Sequence, residues 1–229
     1  MRLLLQVLIV TATAGYRHES IPAAEEVLAA IAGQQDVAVS FARTEDEVRT
    51  RLGDLDGVRA VFFVNTTGEL PMPDAVVAWV RGGGTFVGVH AASDTWHGVP
   101  DYLEMLGGEF AGHPPETTAT VVVDDPGHVA TRALPPAHAL HEEFYYLSRV
   151  DLSEVRTLLS LRARPEPPGG PGYYPLAWEK RFGKGRVLYT ALGHREDVWR
   201  SAWFRTHMSG VVQWAVHPPE QPKRRAVRH

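Results

Sequence analysis

Short apolar runs bounded by turn residues recur along this chain: Leu3–Val10, Val37–Phe41, Ala60–Asn65, Thr85–His90, Ala119–Val123, Thr157–Leu161 and Arg186–Thr190. Each has the length and composition of a strand buried on both faces. Helical patterns lie between the early runs. Ser20 precedes a segment with Pro22 in its first turn, which predicts a helix to about Ala32 capped by that serine. Thr44 and Glu47 have the capping-box spacing, and Pro73–Arg81 is closed by Gly82-Gly83-Gly84. Alternation of this kind over residues 1–110 predicts an α/β fold, doubly wound, with a mostly parallel sheet and helices on both faces. The second half is less regular. It contains Pro135-Pro136, a proline- and glycine-rich loop over Arg164–Gly172, and a final helix expected at about Trp203–Val216.

With 229 residues, 44% of them hydrophobic, the chain is expected to form one domain over residues 1–217, followed by a basic tail over 218–229. The net charge is −4, but Lys223, Arg224, Arg225 and Arg228 crowd the last seven positions, so residues 1–220 carry −8. An anionic body argues against nucleic-acid binding. No run reaches the 18 or more apolar residues of a membrane span, and Leu3–Val10 reads as a strand rather than a leader, so a cytoplasmic location is expected. The absence of cysteine excludes disulfides, thiolate metal sites and a thiol nucleophile.

In a parallel sheet of this kind, ligands bind beyond the carboxyl ends of the strands. The polar residues gather there: Arg17, His18 and Ser20 after the first run, Asn65, Thr66 and Thr67 after the third, His90 and Asp94 after the fourth, and His194 after the last. His90 follows Gly88-Val89 and precedes Ala91-Ala92, the setting of an elbow that lifts a side chain into a crevice. Thr66 and Thr67 offer hydroxyls either to a substrate or to their own turn. Glu142-Glu143-Phe144-Tyr145 suits acid/base work beside a sugar or an amphipathic core edge. His97 and His113 lie in a Gly/Pro-rich segment that reads as surface, and the remaining histidines read as solvent-exposed. Three imidazoles on separate loops also leave open a divalent metal held by His18, His90 and His194, although no compact ligand spacing occurs.

Several segments in order resemble the ThuA-like family, named for trehalose utilisation: Tyr16–Ile21, Val64–Gly68, Gly82–Thr95, Gly112-His113-Pro114, Glu142–Tyr145, Pro175–Trp178 and Gly185–His194. The resemblance implies a flavodoxin-like fold similar to class I glutamine amidotransferases, with His90 where those enzymes place a catalytic cysteine. Thioester chemistry is then excluded. It implies an enzyme acting on an oxidised (3-keto) sugar or disaccharide, with His90, His18, Glu143 and His194 moving protons and Arg17, Thr66, Thr67, Asp94, His113 and Tyr145 binding substrate. No cofactor is obligatory in that reading. The alternatives are a non-catalytic sugar-binding or regulatory module and a metal-dependent hydrolase; a homo-oligomer is compatible with each. One departure stands out: Tyr173-Tyr174 precedes Pro175 where family members commonly carry Asp-His.

Overall fold

The computed structural model describes residues 5–162 and 174–217. Both the Arg164–Gly172 loop with Tyr173 and the basic tail lie outside them. In chain order the elements are β1 (Leu5–Val10), α1 (Ile21–Gln34), β2 (Val37–Ala42), α2 (Glu45–Leu52), β3 (Val58–Val64), α3 (Pro73–Gly82) and β4 (Thr85–Val89). A short 3-10 turn, His90–Asp94, leads to α4 (Pro100–Leu106), β5 (Glu109–Phe110), β6 (Thr117–Val123), β7 (Ala137–Glu142), β8 (Leu147–Ser148) and β9 (Arg156–Leu161). The chain finishes with β10 (Tyr174–Phe182), β11 (Gly185–Thr190), α5 (Glu196–Arg200) and α6 (Ala202–Val216).

Nine strands form one sheet in the order β2-β1-β3-β4-β11-β10-β9-β6-β7, and β5 pairs separately with β8. The first five are parallel, which gives the expected doubly wound order. From β11 onward the sheet turns antiparallel. Helices α1, α5 and α6 pack together, while α3 and α4 pack on each other and on β11. All residues of β4 and β11 are buried, as strands covered on both faces must be.

The antiparallel half was the less legible part. β10 spans nine residues in the middle of the sheet, yet Pro175 disguises it, because proline cannot donate to a ladder. The register slips between Pro175 and Ala177, the irregularity through which the proline is tolerated. β7 reads as polar because it is the last strand of the sheet and has mostly exposed alternate residues. Thr44 forms its capping box. Ser20, by contrast, makes no cap: its hydroxyl donates to the Gly193 carbonyl instead. The reading of the unassigned histidines as exposed also fails, since His207 is fully buried and donates from Nδ1 to the Ala130 carbonyl, and His128 is buried beside Glu179.

Trp178 marks the centre of the seam between the two halves. It is fully buried, lies 4.7 Å from the Tyr189 ring and donates from Nε1 to the Leu106 carbonyl at 2.9 Å. Trp178→Ala should cost about 3–5 kcal/mol through the cavity it leaves. Urea unfolding of the two proteins measures it, and a loss under 1 kcal/mol would mean the seam is not packed as described.

Candidate functional site

The elbow forms where it was expected. His90 directly follows β4 with φ 50°, a left-handed conformation that a non-glycine residue adopts only when its surroundings enforce it. Here they do: its carbonyl accepts from the Tyr189 hydroxyl at 2.8 Å and the Ser93 hydroxyl at 3.2 Å. Its Nδ1 lies 2.8 Å from the Ala191 carbonyl, which can only accept. The neutral ring is therefore protonated at Nδ1, and its Nε2 lone pair faces the crevice.

A single peptide positions the next imidazole. The Gly193 carbonyl accepts from Ser20 Oγ, Asn65 Nδ2 at 3.0 Å and Trp199 Nε1 at 2.8 Å. Its N–H donates to Glu142 Oε2 at 3.0 Å, and Glu142 Oε1 accepts from the Glu143 N–H at 2.9 Å. Gly193 has φ 117°, which suits glycine alone. These bonds fix His194 on one side and Glu143 on the other.

Four side chains meet as a result. His18, His90, Glu143 and His194 each offer a donor atom, and all four lie within 4.8 Å of one another. His90 Nε2 and His194 Nδ1 are 3.3 Å apart, His90 Nε2 and Glu143 Oε2 3.5 Å, and His194 Nδ1 and Glu143 Oε2 3.2 Å. A tetrahedral ion with bonds of about 2.05 Å needs donors about 3.3 Å apart, so three edges of that polyhedron are already in place. The His18 ring lies 4.9 Å from that of His90 and 5.2 Å from that of His194. Its Nδ1 is buried without a hydrogen-bond partner.

Burial, followed by the neighbouring imidazoles, pushes the His18 pKa down to about 3. Burial also lowers His90, against the pull of Glu143 and Ala191. Burial would raise Glu143, but the close approach of His194 and His90 outweighs it and holds its carboxyl well below the usual range. Burial opposes charge on His194 too, yet the Glu143 carboxylate raises its pKa. Glu142 stands apart: burial lifts it to about 7 despite its two backbone donors. The site thus keeps two neutral imidazoles beside a carboxylate, which is the protonation state metal ligands need.

Around the cluster, Tyr145 lies over His90 with ring centroids 4.1 Å apart. The Tyr174 hydroxyl donates to the Tyr145 carbonyl and accepts the Leu147 N–H at 2.6 Å, so the second tyrosine of the departing pair supports the site's wall. His113 Nδ1 sits 3.0 Å from Glu143 Oε1, which joins a residue read as surface to the cluster's rim. The other residues expected to bind substrate lie outside the four-donor set. Thr66 Oγ1 is hydrogen-bonded to Thr95 Oγ1, and Thr67 Oγ1 donates to the Tyr16 carbonyl, so both hydroxyls serve their turns. Asp94 pairs with His97 at 2.8 Å, and Arg17 is exposed with only a 3.4 Å contact to the Thr11 carbonyl.

A cleft of about 460 Å³ opens beside the cluster, lined by Tyr16, Glu19, Ser20, Glu116, His194, Arg195 and the Glu196, Asp197 and Arg200 side of α5. Glu116 was not foreseen. Its carboxylate lies 3.4 Å from His194 Nε2 and also binds Arg195. The only hint in the sequence was its place just beyond Gly112-His113-Pro114. Tyr16, 64% exposed, stands at the mouth edge-on to His18.

Fold and site together define a doubly wound α/β protein with a histidine–carboxylate centre at its strand-end crevice. The family model described as trehalose utilisation, ThuA, matches residues 6–215, and the chain belongs to that family. Among solved structures, a thua-like protein from Bacteroides uniformis superposes with a TM-score of 0.75 at 19% identity, covering 94% of this chain and 93% of that one. A thua-like protein from Parabacteroides merdae gives 0.73 at 17% identity, covering 96% and 94%. A β-galactosidase from Bacillus circulans sp. alkalophilus gives 0.62 at 13% identity, with this chain covering 32% of it, a likeness of fold alone. No curated protein matches the chain. Among the described residues no helix is long and apolar enough to cross a membrane.

His18 and Glu142 make opposite contributions to acid stability. Between pH 6.5 and about 3 the unfolded chain binds a proton that the folded His18 refuses, so this residue's contribution falls as pH drops. Between the ordinary carboxyl value and about 7 the folded Glu142 holds a proton that the unfolded chain releases, so its contribution falls as pH rises. In chelator-treated protein, imidazole nitrogen NMR should show His18 still neutral at pH 5 while His194 titrates above its ordinary value. Protonation of His18 by pH 5.5 would contradict the burial described.

Proposed function

We propose that this chain is a metal-assisted enzyme acting on a small carbohydrate, with a divalent ion held by His18, His90, His194 and Glu143. The observation that carries this reading is the convergence of four donor atoms from separate strand ends, three of them already at tetrahedral spacing. The surrounding bonds fit as well. His90 Nδ1 on Ala191 O, His194 Nε2 near Glu116 and Glu143 Oε1 near His113 are the outer contacts that orient metal ligands. A divalent ion there would polarise a carbonyl or activate a water.

The chain's own residues supply the rest. Tyr16 offers a flat apolar face for the C–H side of a sugar, and Glu19 offers a polar partner for its hydroxyls. Glu116, at the cleft and free of the four-donor set, is placed to take or return a proton. A 3-keto sugar fits this arrangement, because its carbonyl acidifies the neighbouring C–H. The family's description as trehalose utilisation supports a disaccharide or its oxidised form as substrate. A soluble, cytoplasmic setting is part of the same proposal.

A second reading is favoured by the Glu143–His194 pair, whose charges stabilise each other without any ion. In it, the same cluster moves protons directly. Protein prepared without a histidine tag, stripped and reloaded with Zn²⁺, Mn²⁺ or Ni²⁺, separates the two when incubated with 3-keto-trehalose and related keto-glycosides. Turnover should require the ion, and His90→Ala and Glu143→Gln should each weaken zinc binding about 100-fold or more in calorimetry, beyond the loss typical of an outer contact. Turnover that survives chelation supports the metal-free reading; no turnover by loaded protein on any keto-glycoside rejects the carbohydrate assignment.

Tyr16→Ala should raise KM severalfold and leave kcat nearly unchanged, as expected for a residue that binds ground and transition states alike. An equal fall in kcat would place Tyr16 in the chemistry instead.

A further inference from the structure

A second cleft lies at the opposite edge of the sheet. β3, β4 and β11 begin there, at Val58, Thr85 and Gly185, whereas the histidine cluster sits at their far ends, about 20 Å away for strands of this length. The cavity measures about 630 Å³. Its lining includes Arg59, Arg181, Lys184 and Arg186 and contains no carboxylate.

None of these four cations is ion-paired among the described residues, in contrast to Arg43, Arg81, Arg149 and Arg156, each of which contacts an acid. Two of them serve the fold in part. Arg186 Nη2 donates to the Trp214 and Ala215 carbonyls and Arg59 Nε to the Val216 carbonyl, satisfying the open end of α6. That role leaves a residue unexplained: Arg186 is 6% exposed, and its Nη1 is buried with no partner. The acid nearest to it in effect, Glu179, is taken up by Arg156, Trp214 and His128. Burial, then repulsion from Arg59 and Arg181, lowers the Arg186 pKa to about 10, which still leaves it charged at neutral pH.

Arg181 and Lys184 are exposed and face the same space. Where Cβ atoms would stand on Gly82 and Gly83 there is open room. Uncompensated positive charge around a walled cleft is what a multivalent anion neutralises, and guanidinium forks suit phosphate oxygens in particular.

We propose that this cleft is a binding site for a small phosphate-bearing molecule carrying two or more phosphoryl groups, held by Arg59, Arg181 and Lys184 with Arg186 behind them. The site is independent of the carbohydrate reading, because it uses none of the residues of the histidine cluster.

Calorimetric titration of the full, chelator-treated chain with inorganic pyrophosphate at about 50 mM salt tests it, since screening is weak there. Saturable binding is expected, weaker for orthophosphate. The double variant Arg181→Ala, Lys184→Ala, which changes only exposed side chains, should lose at least tenfold in affinity, while Arg205→Ala on another face and His90→Ala should change it by less than twofold. No binding at millimolar pyrophosphate, or equal affinity in the double variant, overturns the assignment. Loss in His90→Ala with retention in the double variant would place the anion at the histidine cluster and overturn it equally.

Discussion

The peptide of Gly193 is the joint on which the site depends. Three donors from the β1, β3 and α5 regions converge on its carbonyl, and a buried carboxylate from β7 takes its N–H. Each of those groups would be costly to bury unpaired, so the bonds form together or not at all. Their effect is to fasten the ends of strands that are distant in sequence, and the imidazoles of His18 and His194 ride on the segments so fastened. Replacing any one donor would leave its partners desolvated without compensation.

Division of labour between the two halves of the sheet follows from their topology. The parallel half presents His18, His90 and His194 at its carboxyl edge, where doubly wound proteins place ligands. The antiparallel half brings the carboxylate: Glu143 directly follows β7, although β7 is the last strand of the sheet, because the chain after it folds back with Phe144 buried and Tyr145 packed against the His90 ring. Aromatic packing thus carries a surface strand's end into the crevice.

What the sequence disclosed, and what it withheld, divides along the same line. The strands of the parallel half are mostly apolar, α2 carries its capping box and α3 its closing glycines, so local chemistry announces them. His90 was legible because glycine and alanine around a polar residue at a strand end leave room for little else. β10 was hidden by Pro175, and Glu116 by its setting in an exposed polar stretch, since pairing with His194 and Arg195 is decided by tertiary approach alone. Ser20 misled for a related reason. Its hydroxyl suits a helix cap, but a buried carbonyl within reach competes for the same proton, and no local pattern records that competitor.

β7 carries one further implication. Successive side chains along an extended segment point to opposite sides, so the pairing of β7 with β6, Thr117 opposite Glu142, decides which of two neighbouring acids meets the imidazoles. Shifted by one position, the strand would bring either Phe144 or Glu142 to the place where Glu143 now meets the imidazoles, and in either case the pair of carboxylates that serves the Gly193 N–H and the cluster together would be broken. An insertion or deletion in the turn between β6 and β7 would therefore rewrite the electrostatics of the crevice without altering a single residue inside it.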